Sequence, residues 1–251
     1  MAKKQSTGTD LINVDAEIEK EIATIRSRIG ATASNNLIST KNKMFKLPNG
    51  IVHPGPLEVV IIEWVSKNFF YPRKFKEGDV TPPSCFAIGQ DIESMVPSTN
   101  SPDQQNGECA SCANNQFGSS GDGKACKNMR TLAVIAANDD TVGDDAPSIY
   151  LLNVSPTGLK RFDGYIDAIA ARFRSSPIKV ITHVSFVTDS DYPTLEFSYG
   201  GPNSNYKRDW NRRAEALQLL QAEPNLTART AAAKPMVRPP KGAAFNKQKP
   251  K

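Results

Sequence analysis

Long apolar runs are missing from this chain. Nowhere do 18 or more apolar residues follow one another, so a membrane-spanning helix is not expected. The Met-Ala-Lys-Lys-Gln start does not lead into the apolar stretch of a secretory signal, and a cytoplasmic protein with no membrane partner is expected. Histidine is scarce, with two residues in the whole sequence. His53 stands next to Pro54 in a turn-like segment and His183 falls inside a strand-like one, and both read as structural. The Gly-x4-Gly-Lys-Ser/Thr, Gly-x-Ser-x-Gly and His-Glu-x2-His patterns do not occur, which removes the chemistries those spacings serve. Two acid pairs, Asp139-Asp140 and Asp144-Asp145, lie beside Gly143 and Pro147. A solvated loop explains them as well as a Mg2+ site would. With no catalytic constellation, the chain reads as non-enzymatic, and a nuclease built on the acidic turn is the weaker alternative.

What is present describes a folded protein with much loop. The 251 residues are 39% hydrophobic and 23% charged, with 18 prolines and 16 glycines, enough for one main core. The net charge of +5 is unevenly placed. From residue 207 to the end, eleven lysines or arginines stand against three acids, a local net charge of +8, so everything before carries −3. A basic extension of this kind suits an anionic polymer or serves as a solubilising tail.

Periodicity divides the chain. Residues 1–40 hold an amphipathic helix, with Leu11, Ile18, Ile22, Ile25 and Ile29 at helical spacing between Asp10 and Gly30. Residues 41–50 read as a short strand closed by a Pro-Asn-Gly turn. Residues 57–75 form a long β-branched and aromatic run, with Ser66-Lys67-Asn68 as an expected break or bulge. Residues 131–138 and 148–154 read as two strands around the acidic turn. A helix is expected over 155–173, with Ser155 as N-cap, Pro156 at the first helical position, and Leu159, Phe162, Ile166, Ile169 and Phe173 on one face. Residues 178–189 and 194–199 form a hairpin pattern, residues 201–223 contain a last helix around 206–221, and the composition of 224–251 argues disorder. The order of strands, helix and strands gives an α+β, mainly β class. The expected architecture over 41–200 is an OB-like small barrel with an insertion at 82–128, flanking helices and a disordered basic C-terminal tail.

The insertion carries the cysteines. Cys85, Cys109, Cys112 and Cys126 follow a Cys-x23-Cys-x2-Cys-x13-Cys spacing in a Gly-rich, weakly apolar stretch. A Cys-x2-Cys turn can aim two thiolates at one tetrahedral ion, and two further cysteines complete a closed four-sulfur shell, so a structural Zn2+ is expected to supply the folding free energy that apolar burial does not. The alternatives are a redox pair at Cys109 and Cys112, disfavoured because no strand immediately precedes it, and plain unliganded thiols.

Aromatics and bases are interleaved at two places. Phe69, Phe70, Tyr71 and Phe75 stand beside Arg73, Lys74 and Lys76, and Tyr199, Tyr206 and Trp210 stand among Lys207, Arg208, Arg212 and Arg213. On a strand Phe69 and Tyr71 share one face and Phe70 takes the other. Exposed rings among cations suit a single-strand binder, which stacks bases on rings and tracks phosphates with Lys and Arg.

The segments PPSCFAIGQD, CASCANNQFGSSGDGKACKNMRTLAVI and VITHVSFVTDSDYPTLEFS resemble a group of tailed-bacteriophage, zinc-containing, OB-fold-like proteins taken for single-stranded DNA-binding proteins. The resemblance spans roughly residues 45–199, and its most specific portion is the block ending in Gly-Lys-Ala-Cys. It implies a protein that coats single-stranded DNA in phage replication or recombination, in the host-cell cytoplasm, alongside replication or recombination proteins. Phe69, Phe70, Tyr71 and Trp210 would stack bases, while Arg73, Lys74, Lys76, Arg130, Lys207 and Arg208 would hold phosphates. Two departures stand out. Phage helix-destabilising proteins include a histidine in their metal shell, and many replication single-strand binders end in an acidic tail, where this chain ends basic. The competing expectation is a zinc-ribbon interaction module that docks a phage or host polymerase through the isoleucine-rich N-terminal helix.

Overall fold

The computed structural model describes residues 36–73, 79–137, 148–227 and 229–230. The expected N-terminal helix, the acidic turn, Lys74, Lys76 and most of the basic tail (residues 228 and 231–251) lie outside the described residues. The strands are β1 (Leu37–Ile38), β2 (Phe45–Lys46), β3 (Val52–His53), β4 (Leu57–Phe70), β5 (Asp79–Val80), β6 (Cys85–Gly89), β7 (Cys126–Ala136), β8 (Tyr150–Val154), β9 (Val180–Phe186), β10 (Leu195–Pro202) and β11 (Arg229–Thr230). The helices are α1 (Leu159–Phe173), α2 (Tyr206–Trp210) and α3 (Arg213–Leu220).

The class is α+β, mainly β, and the main sheet is a curled half-barrel. Its strand order is β1-β8-β7-β4-β9-β10, with β6 also paired to β4. β4 is the organising strand. The β-branched run Val59-Val60-Ile61-Ile62 favours extended backbone, and β7 pairs antiparallel along nearly its whole length, from Val59 opposite Ala136 to Phe70 opposite Cys126. On its other edge β4 takes β9 at its start and β6 at its end.

The apolar side chains form a core on each face of the sheet. One gathers Val59, Ile61, Leu132, Val134 and Phe197 with Phe162 and Ile169 of α1. The other gathers Val60, Val65, Ala133 and Ile135 with Ala216 and Leu220 of α3.

Several expectations needed adjustment. The β4 irregularity lies between Ile61 and Glu63, not at Ser66-Lys67-Asn68, because Lys67 and Asn68 find partners and the ladder continues to Phe70. Ser155 makes no side-chain cap; its hydroxyl instead meets Thr157 Oγ1 at 3.0 Å. Phe173 is exposed at the end of α1. The single helix expected around 206–221 is divided into α2 and α3. The Pro-Asn-Gly turn closes the β2–β3 hairpin as expected, with Gly50 at φ 90°, a conformation that favours glycine.

Candidate nucleic-acid interface

β4 changes character at its bulge. Because the bulge resets the alternation, Trp64 faces α1 and meets Phe162 edge-on at 5.8 Å, whereas Glu63 faces α3. There its carboxylate, 5% exposed, is held by Arg213, whose Nε donates at 3.0 Å and whose Nη2 makes a closer contact. Lys67 points to the same side. It is 8% exposed and its Nζ donates to the Ala222 carbonyl at 3.4 Å. Burial without an anionic partner lowers its pKa from 10.5 to about 8.

The α1 face carries three zones in succession. Nearest the core is a cleft of about 280 Å3 between the sheet and α1, lined by Trp64, Ser66, Arg130, Phe162, Asp163 and Asp167 among others. Next is an asparagine ladder, in which Asn128 Nδ2 donates to Asn68 Oδ1 at 2.6 Å and to Asn115 Oδ1 at 2.9 Å. Beyond it lies a cavity of about 20 Å3 that all four cysteines line, together with Phe70 and Phe86.

The structure overturns the expectation of a structural Zn2+. Among the described residues no group of three or more His, Cys, Asp or Glu could hold a metal ion. The four cysteines are free, three of them buried. The setting of Cys109 and Cys126 favours the neutral thiol. Burial raises the pKa of Cys109, and burial first, then repulsion from the other three sulfurs, pushes Cys126 up to about 12. The thiols pack as small apolar groups, so Cys85, Cys109, Cys112 and Cys126 are not a metal shell.

Polar side chains hold the loop instead, by bonding its backbone. Asn115 Nδ2 donates to the Cys109 carbonyl at 2.8 Å, and Gln116 Nε2 donates to the Ala110 carbonyl at 2.8 Å. Ser119 donates to the Gln116 carbonyl at 2.6 Å and accepts from the Ala125 amide at 2.9 Å. Such local bonds order a segment that has little apolar surface to bury.

The aromatic candidates are spread over the surface. At the end of β4, Tyr71 is 40% exposed and its ring lies 6.5 Å from that of Phe69, with Arg73 exposed two residues on. Partial burial raises the Tyr71 pKa. Phe70 turns the other way and lines the cysteine cavity. Trp210 is 51% exposed with the Arg213 guanidinium 4.6 Å from its ring centre, so Arg213 bridges the ring to Glu63. Lys207 is exposed, while Arg208 donates through Nε to the buried Asp209 at 2.9 Å. Arg130 is buried, 8% exposed, in the cleft beside α1.

The sequence reading missed a further aromatic surface. Phe173 and Tyr199, both partly exposed, stack at 4.5 Å and 17°, and Arg172 lies 5.5 Å from the Phe173 ring. The signal was the Arg172-Phe173-Arg174 triplet at the helix end, hidden because Phe173 also fits the helix's apolar period. His183 remains structural in setting. Its Nε2 lies 3.2 Å from Glu58 Oε1, and Gly200 covers its ring so closely that a Cβ there would come within 2.5 Å of it.

No family model matches the chain, and no curated protein or solved structure matches it. No helix among the described residues is long and apolar enough to cross a membrane.

Proposed function

We propose that this protein binds single-stranded DNA without enzymatic activity, coating it in phage replication or recombination through an OB-like groove in the curled sheet. The observation that carries the reading is the set of partly exposed rings that adjoin cations. Tyr71 beside Phe69 and Arg73, Trp210 under Arg213, and Phe173 on Tyr199 beside Arg172 each offer a flat apolar face with positive charge close by. Bases stack on such faces and phosphates are drawn to such cations. The six lysines and arginines after residue 230, unopposed by any acid, add affinity that falls with salt.

The test is a Phe69→Ala, Tyr71→Ala double variant titrated with fluorescent oligo-dT. Loss of these rings is expected to weaken binding at least tenfold, at about 1–3 kcal/mol per stacked base, with the fold retained by circular dichroism. Unchanged affinity in the folded variant would remove the end of β4 from the interface.

A further inference from the structure

Arg130 is placed unlike a phosphate-tracking residue. It stands on β7 opposite Ser66 of β4 and Val154 of β8, and its side chain is 9% exposed. Its guanidinium has five donors to satisfy. The nearest acceptor given by the described residues is Asp163 Oδ1 at 3.6 Å, beyond hydrogen-bond range. Its nitrogens are not sealed off, since Ser84 Oγ is the one buried, unpartnered side-chain atom among the described residues, so the remaining donors open onto the cleft.

The open volume beside it is the 280 Å3 cleft. Trp64 is partly exposed at the cleft and offers a flat ring, while Phe162 is 1% exposed and packs against it edge-on. Asp163 and Asp167 stand one helical turn apart on α1 at the cleft, so the site holds two carboxylates for one guanidinium. That charge balance rejects a phosphate or a free carboxylate. A neutral ring with acceptors on one edge and donors beside them fits. Guanine has that pattern: O6 and N7 accept from an arginine fork, while N1–H and the N2 amino group donate to a carboxylate. Adenine offers no carbonyl to the fork and no N1–H to the carboxylate.

We infer that the cleft between β4, β7 and α1 is a guanine-selective base pocket, with Arg130 reading O6 and N7 and Asp163 accepting from N1–H and N2–H. This deepens the single-strand reading and rests on it: the pocket would take a base turned out of the bound strand and give the protein a guanine preference.

The experiment is calorimetric titration of the full chain with dGMP and dAMP, which share one phosphate and differ only in the base, with oligo-dT titrated in parallel. Asp163→Asn and Arg130→Met are measured the same way, with the fold monitored by circular dichroism. Asp163 is half exposed on α1, so its amide variant keeps the fold even if Arg130→Met does not. The expected result is dGMP binding about tenfold tighter than dAMP, with that preference erased in Asp163→Asn. Equal binding of the two nucleotides, no binding of either, or a preference that survives Asp163→Asn overturns the pocket. Oligo-dT binding without a dGMP preference overturns the pocket and leaves the single-strand reading standing. A dGMP preference without oligo-dT binding supports the pocket and removes the single-strand reading.

Discussion

The two halves of β4 obey different rules. Before the bulge, Val59, Val60, Ile61 and Ile62 are all buried and feed the two cores alternately. After it, Val65 still feeds a core, but the other buried positions are held by Glu63, Ser66, Lys67 and Asn68, polar groups that need partners if they are not to be destabilising. Arg213 serves Glu63, the Ala222 carbonyl meets Lys67, and Asn128 serves Asn68. The first half stabilises the fold. The second trades stability for polar surface buried next to the cleft, the cysteine cavity and the exposed rings, which is where a binding function would draw on it.

The largest effect is expected in the first half of β4. Ile61 is 0% exposed, and Ile61→Ala is expected to cost about 4 kcal/mol in chemical denaturation, since the methyl groups leave a cavity that the sheet cannot collapse to fill. In the second half, Arg213→Ala strands the buried Glu63 carboxylate and is expected to cost about 3 kcal/mol, more than Glu63→Gln, which leaves no charge behind. A cost no larger than that of a surface change would mean that the carboxylate is hydrated.

Lys67 should act with the opposite sign. Its folded pKa of about 8 lies below the ordinary lysine value of 10.5, so the unfolded chain binds more protons between those values and stability rises as pH goes from about 8 to 10.5. Below pH 8 the full penalty applies. Lys67→Met is expected to gain roughly 2 kcal/mol at pH 7 and to flatten the rise across that window, as read by denaturation at pH 7, 9 and 10.5. A wild-type profile that is flat from pH 8 to 10.5 would contradict the desolvated lysine.

Smaller effects are expected at the cysteine cavity. Cys109→Ser places a hydroxyl where a thiol packs, at a cost of about 1 kcal/mol. Metal analysis of the purified full chain is the direct check on packed thiols: it should find no stoichiometric zinc, and one zinc per chain would overturn the packing account.

Much of the fold was legible because period and chemistry agreed. The alternation in 178–189 marked β9, the run in 131–138 marked the second part of β7, which begins at Cys126 inside the expected insertion, and the 3.6-residue spacing of Phe162, Ile166 and Ile169 marked α1. The bulge was displaced because polar residues in a strand signal a break only when they lack partners, and the partners of Lys67 and Asn68 lie 155 and 60 residues away. The cysteine spacing fitted a metal shell, but spacing does not report whether the sulfurs are placed around an ion. Arg130 read as a phosphate contact because its burial depends on the meeting of β7, β4 and α1, which no local pattern encodes. Trp210 and Tyr71, by contrast, were singled out beside cations in the sequence and are exposed in the structure.

The account turns on whether the folded part of the chain prefers single strands. The decisive measurement is a titration of the full chain and of a chain ending at Thr230 with fluorescent oligo-dT and with the matching duplex, at two salt concentrations. The account predicts that the shortened chain still binds the single strand in preference to duplex, with a shallower salt dependence than the full chain because six cations are gone. Loss of binding on truncation, or equal binding of single strand and duplex, would contradict it.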